Sequence, residues 1–310
     1  MSIRVMLFGT SAFGIPSFQR LHDSTEFEIV HVVSQPARPV GRHQDITPTP
    51  VTAWAQSQSL PVSTPVSLKT PDVQKQLRSV EAELCLIASY GLIVPQVILD
   101  IPTYHCINIH ASLLPRHRGA SPIATAIASG DPETGITFMR MDAGCDTGPI
   151  LEAHRLHILE QETRPELEQR LSELAAEHIV TLCTKWVAGA VPQTPQDTMS
   201  STSAPKLSRD DGRAVWDKAE DVLRRLRAYT PWPGCWTTWN MTQIKIISAA
   251  YDQQTLDVTP GTVVEHYGGW AIACRQGCVI PTIVQFAGKK TQPAKQVLGS
   301  YPNFLGSVLV

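Results

Sequence analysis

Ile3-Arg4-Val5-Met6-Leu7-Phe8-Gly9-Thr10-Ser11-Ala12-Phe13-Gly14 opens with a short, nearly continuous apolar run that stops at a glycine. A run of that length bounded by turn residues predicts a strand buried on both faces. Residues 15–22 then take a helical spacing, with Pro16 in the first turn, where its missing N–H costs nothing. Strand, tight turn and helix form the repeating unit of a wound parallel sheet. The alternation recurs. Phe27-Glu28-Ile29-Val30-His31-Val32-Val33-Ser34 predicts a second strand, residues 50–58 a helix, and Glu83-Leu84-Cys85-Leu86-Ile87-Ala88 another apolar strand. Residues 95–99 predict a short helix before a strand at 106–110. The fold class is therefore α/β, with a parallel sheet covered on both faces.

Ligand sites in such sheets lie at the carboxyl ends of strands. Gly9, Tyr90-Gly91 and the pair Asn108/His110 fall there. The Gly9 turn is not a G-x-G-x-x-G fingerprint and lacks an acidic residue about twenty positions on, so it predicts a small-ligand surface and not a nicotinamide site. In Cys106-Ile107-Asn108-Ile109-His110 the side chains two apart share a face. Asn108 and His110 thus project together, while Ile107 and Ile109 pack on the other side. A carboxylate follows on the Gly-rich loop Asp142-Ala143-Gly144-Cys145-Asp146-Thr147-Gly148. An amide, an imidazole and a carboxylate can polarise a carbonyl and move a proton with no metal and no nucleophilic side chain. Each has a plainer reading: a strand-end histidine is more often structural, and an Asp before Thr-Gly can simply stabilise a turn.

With 310 residues the chain exceeds what one core usually serves, so two domains are expected. Thr163-x-x-Glu166 predicts a capping box with Pro165 in the first turn. The helix it opens carries Leu167, Leu171, Leu174, Ile179, Leu182 and Trp186 as a packing stripe, and Gly189 as its stop. Domain boundaries follow: 1–188, a Pro-, Ser- and Thr-rich linker at 189–206, and 207–310. The last part predicts a helix at 217–228, the breaker Pro231-Trp232-Pro233-Gly234, and strands at 242–248, 261–265, 270–274 and 278–286, the spacing of a small β-barrel.

Seven scattered cysteines form no disulfide framework and predict reduced thiols in a cytoplasmic setting. Cys274 and Cys278 make half a metal site that nothing completes, so no metal is expected. No signal peptide or membrane-length apolar run is evident, so no membrane partner is expected. Residues 205–310 hold 12 Lys/Arg against 8 Asp/Glu, a net +4 on a chain of net −2. That asymmetry admits a polyanionic partner at the C-terminal part, and equally a solvated surface.

The motif Asn108-Ile109-His110-x-Ser112-Leu113-Leu114-Pro115, with Asp146 in Asp-Thr-Gly, resembles the folate-dependent formyltransferase superfamily. Gln35-Pro36-Ala37-Arg38-Pro39-Val40-Gly41-Arg42 with Thr47-Pro48-Thr49-Pro50-Val51 is similar to one member family, the methionyl-tRNA formyltransferases. So is Ala204-Pro205-Lys206-Leu207 with Asp211-Gly212-Arg213 and Pro231-Trp232-Pro233-Gly234. The likeness runs from Met1 to about Lys290. It implies a Rossmann-like, mostly parallel catalytic domain and an OB-like barrel that binds tRNA. It implies 10-formyltetrahydrofolate as formyl donor and the α-amine of methionine on initiator methionyl-tRNA as acceptor, for translation initiation. Asn108, His110 and Asp146 would be catalytic. Folate would lie against Ser89, Tyr90, Gly91, Leu92, Ile93, Ser112, Leu113, Leu114, Pro115 and Asp142, and tRNA against Arg38, Arg42 and Lys206. The working unit would be a monomer. The chain departs from the family where His43, Gln44 and Asp45 replace further basic residues, where His117 stands for a common Trp, and where Ala124 stands for a common Gln. A sugar-nucleotide formyltransferase with the same trio, or a non-catalytic folate- or RNA-binding relative, are the competing expectations.

Overall fold

The computed structural model describes residues 2–41 and 44–310. The chain divides into two compact units, the first comprising Met1–Pro122, Glu133–His157 and Leu167–Pro205, the second Ile123–Pro132, Ile158–Glu166 and Lys206–Val310. The Pro-, Ser- and Thr-rich stretch up to Pro205 clusters with the first unit.

In order, the first part of the chain forms β1 (Ile3–Gly9), α1 (Ile15–His22), β2 (Phe27–Val33), β3 (Arg38–Val40), β4 (Asp45–Thr47), α2 (Pro50–Ser57) and β5 (Val62–Ser63). It continues with α3 (Pro71–Arg78), β6 (Leu84–Ala88), α4 (Gln96–Leu99), β7 (Cys106–His110), α5 (Pro122–Ser129), β8 (Glu133–Arg140), β9 (Ile150–His157) and α6 (Arg164–Val187). Seven strands make one sheet in the order β5-β2-β1-β6-β7-β8-β9. The first five run parallel, as the alternating pattern predicts. β8 alone is reversed: it pairs antiparallel with β7, although α5 lies between them in the chain, and with β9, which joins it directly through residues 141–149. The strand order reverses between β1 and β6, which makes the carboxyl ends of these two strands the topological switch point.

Burial follows from the apolar runs. All of Leu84–Ala88 and Cys106–His110 are buried. Met6, Phe8, Cys85, Ile87 and Cys106 pack with Leu77, Ile98 and Leu99 in one core. Fully burying side chains of this size contributes roughly 1.5–3 kcal/mol each. Within α6, Leu167, Leu171, Ile179, Leu182 and Trp186 of the predicted stripe are buried. Ser172 Oγ of α6 donates to the Phe13 carbonyl (2.6 Å), and Trp186 Nε1 donates to the Tyr104 carbonyl (2.6 Å). At its start the Glu166 carboxylate accepts from the Thr163 hydroxyl (2.6 Å) and amide (2.8 Å), which holds that carboxyl below the usual range. Gly189, in the left-handed region at φ +70°, follows its end.

In the second unit, α7 (Ala219–Ala228) precedes β10 (Cys235–Trp239), β11 (Thr242–Asp252), β12 (Val263–His266), β13 (Gly269–Ala273), β14 (Cys278–Phe286), β15 (Gln292–Pro293) and α8 (Gln296–Ser300). The antiparallel order is β10-β11-β14-β13-β12, with β15 on β14. Register shifts near Ser248 in β11 bend the sheet. The last residues then bridge its two edges. Val310 exchanges backbone hydrogen bonds with Thr238 of β10, while Gly306 donates to Val263 of β12 and Leu309 donates to Gly261. This antiparallel sheet is thereby closed into a small barrel. Its core gathers Val222 and Leu226 of α7 with Ile244, Ile246, Ile272, Val284, Phe286 and Phe304.

Candidate active site

Sheet pairing fixes the first two polar groups of the site. Asn108 pairs in register with Ile87 on one side and Met139 on the other, and His110 pairs with Thr137. A strand held by ladders on both sides leaves its side chains little choice of direction. Asn108 is 9% exposed and His110 5%.

Asp146 reaches them from the connection between β8 and β9, which folds back along the face of β7 that carries both. Asn108 Nδ2 donates to Asp146 Oδ1 at 3.5 Å, and His110 Nδ1 lies 3.7 Å from Asp146 Oδ2. The same Oδ2 accepts the Gly119 amide at 2.8 Å. Asp146 itself has φ +54°, a conformation uncommon outside glycine and more tolerated by Asp and Asn than by most residues. A partly buried, crosslinked residue in that region is the kind of local cost that concentrates at working sites.

His110 Nε2 lies 2.9 Å from the His117 carbonyl. A carbonyl accepts only, so Nε2 carries the proton there, and Nδ1 bears one only when the ring is an imidazolium. The ring therefore offers Asp146 and its surroundings a donor in its charged form alone. His117 serves this contact by its backbone. Its own amide donates to Thr202 Oγ1 at 2.8 Å.

Several supports have no signature in the sequence. Gln196 Nε2 donates to the carbonyls of Asp146 (2.9 Å) and Gly148 (2.7 Å). Arg118 donates through Nε (3.0 Å) and Nη2 (2.7 Å) to Gln196 Oε1. Gly119, at φ +119°, would place a Cβ 2.6 Å from the Ala204 carbonyl oxygen, so no other residue fits where its amide meets Asp146. A glycine in an Arg-x-Arg-Gly turn was the one visible hint; Gln196, in a Pro/Thr-rich stretch, gave none.

The expected folate residues divide. Ser89, Gly91, Leu92 and Ile93 form an exposed stretch after β6, with Ile93 at 82% exposure. Tyr90 between them is buried. Its carbonyl accepts from Thr10 Oγ1 (2.7 Å) and Gln35 Nε2 (2.7 Å), which ties this wall to the turn after β1 across the switch point. Burial pushes the Tyr90 phenol up to about 12. Ser112 and Leu114 face inward: Ser112 Oγ donates to the Arg116 carbonyl (2.7 Å) and the Leu114 amide to Thr137 Oγ1 (3.1 Å). Leu113 is partly exposed, as is Pro115. Asp142 Oδ1 accepts from Thr147 Oγ1 (2.7 Å) and the Gly144 amide (3.0 Å), closing the loop on itself.

Among the expected RNA contacts, Arg38 is exposed and donates to Gln35 Oε1 at 2.6 Å. The loop expected there is a hairpin of β3 and β4. Arg42 lies outside the described residues. Lys206 is exposed. Cys274 and Cys278 are buried free thiols, and burial pushes Cys274 up to about 12. No helix among the described residues is long and apolar enough to cross a membrane.

The formyl transferase family profile matches residues 1–183, and the formyl transferase C-terminal domain profile residues 206–302. The chain is 42% identical to the methionyl-tRNA formyltransferase of Roseobacter denitrificans over 298 residues, covering 96% of this chain and 95% of that protein. It is 38% identical to the protein of the same name from Marinobacter nauticus, with 96% of each covered. Among solved structures it is similar to the sugar 3N-formyl transferase WlaRD, at TM-score 0.66 and 17% identity over 94% of this chain and 100% of that one. It is also similar to HypX from Aquifex aeolicus in complex with tetrahydrofolic acid, at TM-score 0.61 and 18% identity over 98% of this chain and 48% of that one. At these identities the solved structures bear on the fold alone.

Proposed function

The chain belongs to the formyl transferase family, within its methionyl-tRNA formyltransferases, and from that premise we propose how its residues carry the reaction. It transfers the formyl group of 10-formyltetrahydrofolate to the α-amine of methionine on initiator methionyl-tRNA. The observation that carries this reading is the convergence of Asn108, His110 and Asp146 in one unit, on the near-complete length match to relatives of that activity.

The chemistry needs a neutral amine and a stabilised tetrahedral oxyanion. Asn108 has two amide hydrogens, and the one not turned to Asp146 is the donor to the formyl oxygen. His110 adds a second donor through Nδ1 as imidazolium, with Nε2 fixed by the His117 carbonyl. One such donor contributes about 3–4 kcal/mol to the transition state. Asp146 takes the proton that the amine nitrogen loses as it adds to the formyl carbon, and that proton is passed to N10 of the folate as the old C–N bond breaks, so that tetrahydrofolate leaves neutral. No acyl-enzyme is needed, since the amine attacks the formyl carbon directly.

Folate lies along Ser89, Tyr90, Gly91, Leu92 and Ile93, near the switch point, with Leu113, Pro115 and the Asp142 loop as neighbouring wall. Ser112 and Leu114 act by shaping the turn. Gly91 at φ +80°, where a Cβ would stand 2.7 Å from Gln35 Nε2, keeps that wall close to the hairpin base. Arg38, Arg42 and Lys206 meet RNA phosphates, and 207–310 is the basic RNA-binding domain, with 1–188 as the catalytic domain and 189–206 as linker. Every proposed catalytic group comes from one chain, which supports a monomer as the working unit, and a tRNA substrate places the reaction in the cytoplasm.

The test is formyl transfer to charged initiator tRNA and, in parallel, to an amino-sugar nucleotide. Transfer to the tRNA alone is expected; transfer only to the sugar would overturn the assignment. RNA affinity should fall steeply with salt through counterion release, and a flat response would remove the basic domain from the account.

A further inference from the structure

Away from the proposed active site, Glu152, His154 and His178 bring one ligand atom each within 4.8 Å of one another. Glu152 and His154 are two apart on β9 and so share a face, and their turn to the partly buried side follows from the alternation Glu152, Ala153, His154, Arg155. His178 comes from α6. All three belong to the first unit and are partly buried. Residues 24 or more apart, on a strand and a helix, share no spacing pattern in the sequence.

Two features set this cluster apart from ordinary surface polar residues. The His154 and His178 rings stack at 3.5 Å with an interplanar angle of 8°. The stack holds two imidazoles side by side, one from β9 and one from α6. His154 Nε2 is buried and lies 2.6 Å from Glu152 Oε1, yet without the alignment of a hydrogen bond. A buried nitrogen 2.6 Å from a carboxylate oxygen, with a second imidazole stacked against its ring, gathers three metal-type donors in one place.

We propose that Glu152, His154 and His178 form a site for one divalent first-row transition ion, with Zn2+ the best match. Two imidazoles and a carboxylate suit borderline cations, not the oxygen-seeking Mg2+ or Ca2+. Zn–N and Zn–O bonds of about 2.0–2.2 Å set tetrahedral ligand atoms roughly 3.3 Å apart, so Glu152 Oε1 and His154 Nε2, now 2.6 Å apart, open slightly around the ion while His178 brings in its nitrogen. Parallel rings cannot both point at one ion. His178, at the helix surface, therefore swings out of the stack while His154 stays. Water fills the fourth position on the open side. The ion fastens β9, an edge strand, to α6, and its place is structural, distinct from the trio that handles the formyl group.

The test is calorimetric titration of Zn2+ alone into tag-free, chelator-treated full-length protein, with melting followed in parallel. One ion per chain is expected, with Kd raised at least about tenfold in His178→Ala and in Glu152→Gln, since each removes one of three ligands. Zn2+ should raise the melting temperature of the wild type. His178→Phe keeps a ring against His154 but no nitrogen, and should abolish that rise. Formyl transfer by each variant serves as the check that it is folded. Absence of saturable binding, or equal affinity in the wild type, His178→Phe and Glu152→Gln, would overturn the proposal.

Discussion

β7 and the connection between β8 and β9 supply the same site by opposite means. β7 is a buried strand with a ladder on each side, so the direction of Asn108 and His110 is fixed by the sheet. The Asp146 loop is largely exposed, sits in the left-handed region at Asp146, and is held by distant groups: the Gly119 amide, Gln196 and, behind Gln196, Arg118. One half of the site is positioned by secondary structure and the other by a few tertiary crosslinks. Sheet position is robust to single side-chain changes, whereas a loop held by three or four hydrogen bonds responds to each.

The largest effect should come from the loop's own functional group. Asp146→Ala removes the proton acceptor and both contacts to β7, and kcat should fall about 10³-fold, within the acid–base range of 10²–10⁴. Single-turnover formyl transfer under saturating folate measures it. Asn108→Ala comes next, with a fall of about 10²–10³ expected for one oxyanion donor. RNA affinity, read by filter binding, should barely move in either. An Asn108→Ala enzyme that retains most of its kcat would break the division of labour between strand and loop.

Gln196→Ala sharpens the comparison, because it removes the donor to the carbonyls of Asp146 and Gly148, and with it the acceptor of Arg118, while leaving the Asp146 carboxylate in place. The expected loss is about tenfold in kcat, equal to about 1.4 kcal/mol of transition-state stabilisation, with KM for folate nearly unchanged. Gln196→Glu should do no better than alanine, since a carboxylate cannot donate to those carbonyls. Full activity in both variants would mean that the Gly119 amide and the contacts to Asn108 and His110 hold Asp146 without Gln196.

The same contrast explains what the sequence made legible. β7, β1 and β6 were readable because burial on both faces writes itself as a local apolar run, and the pairing of Asn108 with His110 needs only period two. The antiparallel turn at β8 and β9 was not, because the Thr/Met/Arg-containing run 133–140 carries no mark of direction. The hairpin of β3 and β4 lies in a segment of Pro and Arg that reads as loop. Gln196 acts on a residue 50 positions away, and amide side chains outside local turns leave no pattern in spacing. The closing of the barrel by Gly306–Val310 was hidden for a similar reason: its partners, Thr238, Gly261 and Val263, are set by tertiary register alone.

Two cysteines report on the two regions with the smallest expected change. Cys106 is buried on β7, while Cys145 is exposed beside Asp146, with Sγ 3.7 Å from Oδ2. Partial burial, and then the Asp146 carboxylate by its charge and its hydrogen bond, push the Cys145 thiol above its ordinary value. A raised thiol holds less thiolate at a given pH, and thiolate is the species that iodoacetamide alkylates. In the native protein Cys145 should therefore react slowly at pH 8, with a rate that climbs as pH rises toward its elevated value, and Cys106 should not react. Asp146→Asn removes the charge and keeps a side chain that tolerates φ +54°. Without the carboxylate the thiol titrates lower, so alkylation at pH 8 should quicken severalfold, read by peptide mass spectrometry, while Cys106 stays protected. If Cys145 is no faster in Asp146→Asn, the carboxylate does not sit over the thiol, and the crosslinked loop geometry loses its support. If Cys106 becomes reactive as well, the loop and the strand are not separable, and the contrast between them fails.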